Sequence, residues 1–274
     1  MGAVTQDRWD IFAERMFRME DADPMYYALA RADLDTGTKM RVFVGWCTYY
    51  HPGIAAAAAK YQGEQFWRFL ASQYDTAPRA SERRHFRGAA GRRALQEWCA
   101  MYRAPERMVD ENFGASYFTV RQNLQKVRLF GDYFYWKFAD VQERVFGIPC
   151  DFTGAAEHSP KVPQNGARQY IAPQLYAKPE DVLMERIYAD MLAALPRPLR
   201  LAPPRYDRPL NMQEAETIAC VYHQYKGGGY TYGARTAKAY RRLSYVTSLD
   251  FAPIIEELKA ALTCGLPYHP PEEE

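Results

Sequence analysis

A chain of 274 residues, 48% hydrophobic and 25% charged, can bury a sizeable core as one large domain or two small ones, which excludes disorder as its main state. The formal net charge of +2 excludes a uniformly basic coat, so any affinity for nucleic acid has to come from local clustering of charge. Five scattered cysteines with no CxxC pair exclude a zinc signature and suit reduced thiols in a cytosolic protein.

The opening MGAVTQDRWD lacks the apolar core of a signal peptide, and no run approaches the length of a membrane span, so a soluble, cytoplasmic protein with no membrane partner is expected. Trp9, Phe12, Ala13 and Met16 recur at helical spacing and predict a first amphipathic helix. Asp23-Pro24 opens a second, with proline in its first turn. A third, rich in aromatic residues, runs from Met40 to Tyr50. His51-Pro52-Gly53 breaks it, and the alanine run after Ile54 restarts helix at the highest propensity available. Phe66, Phe69 and Leu70 mark one more short helix. From Arg79 to Arg93 the chain reads RASERRHFRGAAGRR, with six arginines and one histidine against Glu82 alone; this is a loop, or a loop entering a helix that turns Leu95, Trp98, Cys99 and Tyr102 inward.

After Pro105 a long amphipathic segment carries Phe113, Tyr117, Phe118, Val120, Leu124 and Val127 to a tight turn at Gly131. The helix that follows buries Phe134, Phe138, Val141 and Val145, while Lys137, Asp140 and Arg144 share another face; a short loop then delivers Asp151. The run 154–174 has the proline, glycine and polar content of an irregular connection, a candidate lid or hinge. Helix returns from Pro179 to Leu195. Beyond a proline-rich crossing, Asn211 with Glu214 forms a capping box for a helix with Ala215, Ile218, Ala219 and Tyr222 inward and Glu216, Cys220 and His223 on a second face. That helix ends in the glycine-rich aromatic loop GGGYTYG, flanked by Lys226 and Arg235, and a last helix begins near Asp250. With no alternating strand run and no internal repeat, the class is all-α. The expected organisation is a single helical domain, 1–274, with lobes of about 1–150 and 151–265 around a central cleft and a frayed acidic tail at 266–274.

Several of these residues carry chemistry. Arginines in a glycine-containing loop present forked donors to phosphate, with His85 as a further donor when protonated; a solvated loop is the competing reading. Gly131, between helices, offers backbone N–H groups to a phosphate or is simply a cap. Asp140 is a catalytic carboxylate or half of an intrahelical ion pair, and Asp151 a general base or the acceptor of an Asx turn with Thr153. Cys220 is a thiol nucleophile beside Glu216 and His223, or a small buried hydrophobe. Tyr230 in the glycine loop stacks on a base, or the loop is only a flexible turn. No metal-ligand spacing such as HExxH is present.

The stretch LFGDYFYWKFADVQERVFGIPCD resembles the helix-hairpin-helix element of the DNA glycosylase superfamily, with Leu129-Phe130-Gly131 as the hairpin, Phe146-Gly147 at the helix end, and Asp151 where that superfamily's catalytic carboxylate falls. The hairpin's proline and second glycine are missing, and the loop before Asp151 is shorter. Three further blocks narrow the resemblance: Glu82 to Gly88 (ERRHFRG); Trp136 to Asp140 (WKFAD) with Asp151-Phe152; and Met212 to Cys220 (MQEAETIAC) with Gly229-Tyr230 and Gly233. Together, from about Asp21 to about Leu243, they look like the α-glutamyl/putrescinyl thymine pyrophosphorylases, the amino acid:DNA transferases of bacteriophages with hypermodified thymine.

That resemblance implies a helix-hairpin-helix, glycosylase-like fold and a transferase working in the cytoplasm of an infected host. Its DNA substrate carries 5-diphosphooxymethyl-uracil, from which an amino acid or polyamine displaces pyrophosphate. It implies no organic cofactor and leaves a divalent cation for the diphosphate open. Arg83, Arg84, Arg87 and Lys137 would clamp the departing charge, with His85, Gly131, Lys226 and Arg235 as further diphosphate or DNA contacts. Asp151 first, Asp140 or Glu216 second, would take the proton of the incoming amine. Tyr133 or Tyr230 would sandwich a flipped base, and Cys220 could add to the pyrimidine ring. A glycosylase using Asp151, or a non-catalytic DNA-binding accessory protein, would draw on the same elements.

Overall fold

The computed structural model describes residues 7–78, 80, 83, 85–196, 199, 201–244 and 252–263. Among these, regular structure is helical, the only strand-like pairings being isolated bridges between Ser116 and Asp151 and between Leu201 and Pro209. The expected helices form: α1 (Trp9–Arg18), α2 (Pro24–Arg31), α3 (Thr36–Tyr49), α4 (Pro52–Ala59), α5 (Gly63–Ser72) and α6 (Gly88–Tyr102). Asp35 caps α3, its carboxylate accepting from the Thr38 N–H at 2.9 Å. The alanine run of α4 has a packing reason as well as a propensity: a Cβ on Gly45 would stand 3.0 Å from the Ala55 Cα, so α3 and α4 meet almost backbone to backbone.

The amphipathic segment after Pro105 is two helices, α7 (Pro105–Asp110) and α8 (Tyr117–Leu124), the latter capped by Ser116; α8 packs on α9 (Asp132–Arg144). Residues 154–174, expected as an irregular lid, are instead largely helical: a 3-10 turn at Ala156–His158, then α10 (Lys161–Gly166), a π turn at Ala167–Ile171 and α11 (Ala172–Leu175) in continuous succession. Close packing overrides composition here. A Cβ on Gly166 would come within 2.1 Å of the Ala219 carbonyl oxygen, so glycine lets α10 lie directly against the helix carrying Ala219. The widened turn falls just before Pro173, which has no N–H to continue the ladder. Then come α12 (Met184–Ala194), α13 (Met212–Lys226), α14 (Ala234–Leu243) and α15 (Ala252–Thr263). The capping box on α13 is present with both of its reciprocal bonds, whereas α14 had no counterpart among the expected helices.

Two hydrophobic cores result, and neither is a continuous stretch of chain. The larger takes α2 to α9 together with residues of α14 and α15. The smaller gathers α1 with the π turn, α11, α12, α13 and Tyr230. Charge ties α9, in the first core, to α13, in the second. Arg144, fully buried, meets Asp23 at 3.0 Å, Asp140 at 3.4 Å and Glu214 at 3.4 Å, donates to the Pro203 carbonyl at 3.2 Å, and lies over the Tyr26 ring at 4.7 Å. Glu214 in turn accepts from Arg208 at 2.9 Å.

Removing one member of such a cluster leaves its partners charged, buried and unpaired. Arg144→Met is therefore expected to lower stability by about 3–5 kcal/mol, read from urea or thermal unfolding; an unchanged transition would show that the cluster does not hold the two cores.

Candidate active site

Between the two cores opens a cleft of about 740 Å³. Its walls come from the start of α2, the end of α3, Arg83, His85 and Phe86, the α8–α9 turn, α9, the start of α10, α13 and α14. It unites many of the residues singled out from sequence: Arg83, His85, Gly131, Tyr133, Lys137, Glu216, Cys220, Tyr230 and Arg235 all line it. Asp23, Lys161, Lys238 and Arg242 line it too, and none of them was expected there.

Lys137 projects from α9, and its ammonium meets the Asp23 carboxylate at 2.8 Å and Asp140 at 3.9 Å. Burial alone would lower the Lys137 pKa, but the negative charges around it, Asp23 foremost with Tyr50, Asp140 and Glu216, together hold it above its ordinary value. Burial would likewise raise Asp23, which Lys137 and Arg144 instead hold down. Asp140 lies beneath the cleft rather than in its lining, fully buried; burial pushes it up to about 6 against the pull of Arg144 and Lys137, and it accepts from the Tyr26 hydroxyl at 2.7 Å. Of the two readings of Asp140, the intrahelical ion pair with Arg144 is the one seen, and Asp140 stands behind Lys137 rather than in the cleft wall.

Glu216 stands differently. It is 8% exposed, it lines the cleft, and among the described residues no side chain or backbone group bonds to its carboxylate. Burial pushes its carboxyl from an ordinary 4.5 to about 8, with Lys137 pulling the other way. One turn along α13, the Cys220 thiol is pushed up to about 12 by burial and by the Glu216 charge, so it is not a thiolate near neutral pH. No group of three or more His, Cys, Asp or Glu among the described residues is arranged to hold a metal ion. No helix among them is long and apolar enough to cross a membrane.

The arginine-dense stretch does not act as a solvated fork at the one arginine best placed to show it. Arg83 is 3% exposed; its Nε donates to the Thr48 carbonyl at 3.1 Å and one terminal nitrogen to the Leu129 carbonyl at 3.0 Å. Its guanidinium lies over the rings of Phe134 at 4.4 Å and Phe86 at 4.6 Å, and Nη2 is buried with no partner among the described residues. Burial lowers it to about 10, still charged at neutral pH. Arg87 is exposed and outside the cleft lining, and Arg84 lies outside the described residues. Lys226 is also outside, its ammonium 5.9 Å from the Tyr222 ring. At the α8–α9 turn the left-handed backbone falls on Leu129, with φ of 62°, while Gly131 is extended and a Cβ there would meet nothing within 4 Å.

Asp151, the first candidate for a general base, is not brought to the cleft. The Gln142 amide bonds to both polar groups of Gly114, at 2.7 and 2.9 Å, and to the Pro149 carbonyl at 3.1 Å, so the loop after α9 is drawn toward the start of α8. There the Asp151 backbone pairs beside Ser116, and its exposed carboxylate accepts from the Thr153 N–H at 2.9 Å. It is the Asx turn that forms. The acidic groups at the cleft are Asp23 and Glu216, and of these only Glu216 is without a partner among the described residues.

Comparison with known proteins bears on the chain as a whole. The family model for amino acid:DNA transferase matches residues 4–230. A putrescinyltransferase of Delftia phage PhiW-14 is 30% identical over 230 residues, covering 81% of this chain and 74% of that protein. A glycinyltransferase of Pseudomonas phage PaMx11 is 29% identical over 248 residues, covering 80% of this chain and 84% of that protein.

The raised Glu216 carboxyl has a signature in stability. With a folded pKa of about 8 above an ordinary 4.5, the folded state binds the extra proton between those values, so this group's contribution is fully present below about pH 4.5 and is lost as pH rises through 8. Melting temperatures of wild type and Glu216→Gln should therefore diverge in the variant's favour from pH 5 to pH 9. A constant difference across that range would mean that Glu216 titrates like an exposed carboxyl.

Proposed function

Because the chain belongs to the amino acid:DNA transferase family, we propose that its cleft joins an amine to the methylene carbon of 5-diphosphooxymethyl-uracil in DNA, with pyrophosphate as the leaving group. The observation that carries this reading is the unpartnered, buried Glu216 carboxylate in a cleft whose other charges are mostly positive: Arg83, Lys137, Lys161, Arg235, Lys238 and Arg242.

The chemistry needs this combination. An amine arrives protonated and is no nucleophile until it loses a proton. Glu216, in the fraction ionised near its pKa of about 8, attracts the ammonium, accepts one proton and frees the nitrogen lone pair. A base of pKa about 8 is far better matched to an ammonium than an exposed carboxylate is. The nitrogen forms its bond to the methylene carbon as the bond from that carbon to the diphosphate oxygen breaks. The electron pair leaves with pyrophosphate, whose growing charge is met by the cationic wall. A pyrimidine must leave the duplex to enter, and the rings of Trp46, Tyr50, Tyr133 and Tyr230 in the lining offer stacking surfaces for it.

The α8–α9 turn supports a helix-hairpin-helix grip on the DNA backbone of the glycosylase-like kind. Lys126 and Arg128 are exposed beside it, and Gly131 leaves the turn open at the cleft mouth. Lys137, fixed by Asp23 and oriented by Asp140, is the cation poised beneath the leaving group, and Asp151 stands outside the reacting groups.

The test is to incubate the protein with DNA bearing 5-diphosphooxymethyl-uracil and a pool of amines, then digest to nucleosides for mass spectrometry. Amine adducts are expected, falling by about 100-fold or more in Glu216→Gln with DNA binding retained, and near wild type in Asp151→Asn. Abasic sites would point to a glycosylase, unchanged base with retained binding to an accessory protein, and an undiminished Glu216→Gln rate to a different base.

A further inference from the structure

The cations of the cleft fall into two sets by depth. Arg83 and Lys137 are buried and lie on its floor with Glu216. Lys238 and Arg242 belong to α14; Lys238 is exposed and Arg242 partly so, which puts them at the rim. A diphosphate carried on a flipped base is taken down to the floor. What crosses the rim is the strand from which that base has been turned out.

The make-up of α14 suits a run of negative charge. Arg235, Lys238 and Arg242 recur at i, i+3 and i+7 on one face, and all three line the cleft. They span about 10 Å of helix, a length over which one DNA strand presents about three phosphates. The helix contains no Asp or Glu, and among the described residues no carboxylate makes an ion pair with Lys238 or Arg242. By contrast Arg92 and Arg93, exposed on α6, are both paired, with Asp75 at 2.5 Å and Glu97 at 2.8 Å. The N-terminus of α14 is satisfied within the protein, the Asp21 carboxylate accepting from the Gly233 N–H at 3.0 Å and the Thr236 N–H at 2.7 Å. That bond fixes the helix and leaves its cationic side chains as the groups that meet a ligand.

The stripe leads on to the α8–α9 turn. Arg242 donates to the Tyr50 carbonyl at 3.4 Å, and the Tyr50 hydroxyl shares a hydrogen bond with the Tyr133 hydroxyl, their ring centres 6.1 Å apart. Tyr133 lies in the first turn of α9, two residues past the open Gly131. A backbone laid along α14 therefore continues past Tyr50 and Tyr133 to that turn.

We infer that α14 holds the sugar-phosphate backbone of the strand whose base is flipped, with Lys238 and Arg242 on its phosphates. The inference rests on the transferase reading of the same cleft. It takes these two cations out of the set that meets the departing pyrophosphate.

Backbone and leaving group both offer phosphate, and two duplexes of one sequence separate them, one bearing 5-diphosphooxymethyl-uracil and the other thymine in its place. In Lys238→Gln and in Arg242→Gln the slope of log K against log salt concentration should fall by about 1, equally for both duplexes. Lys238→Arg should keep the wild-type slope, and the loss in transfer should appear in KM for DNA rather than in kcat. Weaker binding of the diphosphate duplex alone, or a lower kcat at saturating DNA, would assign these cations to the leaving group and overturn the inference. So would unchanged slopes for both duplexes. Reduced slopes with no adduct from any amine would remove the transferase reading and leave α14 as the backbone contact.

Discussion

Arg144 has no exposed surface, and every group that neutralises it comes from a different part of the chain: Asp23 from the entry to α2, Asp140 from its own helix, Glu214 from the first turn of α13. A charge buried this deeply is tolerated only when it is paired and hydrogen-bonded, so these elements are held in one arrangement or the arginine is left uncompensated. The cleft inherits its geometry from that constraint. Asp23 shares its two carboxylate oxygens between Arg144 below and Lys137 at the cleft, and Glu216 lies two residues beyond Glu214 on the helix the cluster fixes. The same cluster uses up the available carboxylates, which is why Glu216 alone is left to meet a ligand.

The cleft also shows how one kind of residue is put to different uses by its surroundings. Lys137 has a carboxylate beside it and is locked in place, whereas Arg83 is neutralised by no carboxylate among the described residues and is stabilised by carbonyl oxygens and aromatic faces. A lysine at position 83 could not satisfy both carbonyls while lying flat between Phe86 and Phe134, so the planar guanidinium is required by geometry as well as by charge. Arg83 bonds both α3 and the α8–α9 turn, so the turn that borders the cleft is fastened by a residue that also lines it.

What was legible in the sequence follows how local each determinant is. The all-α class, the proline-started helices and the Asn211–Glu214 capping box depend on residues a few positions apart and were open to reading. So were Lys137 and Glu216, each on the polar face of a helix whose apolar face was plain. Asp23 was read only as a helix start, because its ion pair with Lys137 spans 114 residues. Asp151 was expected beside the cleft from its nearness in sequence to α9, whereas it lies beside Ser116; the Gln142 bridge to Gly114, across 28 residues, decides the path of that loop. The helix at 161–175 hides behind prolines and polar residues since its fit depends on a glycine against a distant carbonyl. In α14 the buried positions are Thr236, Ala237, Ala239 and Leu243, small side chains that leave a faint apolar stripe among arginines and lysines.

The membership of α1 in the second core bears on how the protein is made. Its Trp9, Phe12, Met16 and Phe17 pack with residues of α13 and with Tyr230, and the bond from the Asp7 N–H to the Tyr225 hydroxyl spans 218 residues. During synthesis this helix emerges from the ribosome about 200 residues ahead of α13, at roughly 5–20 residues per second, so its aromatic face stays uncovered for many seconds while the first core can already assemble. The order of synthesis is thus opposed to the order of contact. A chaperone that shields short apolar helices would have a long opportunity on this segment, and the second half of the cleft is completed only when α13 closes over it.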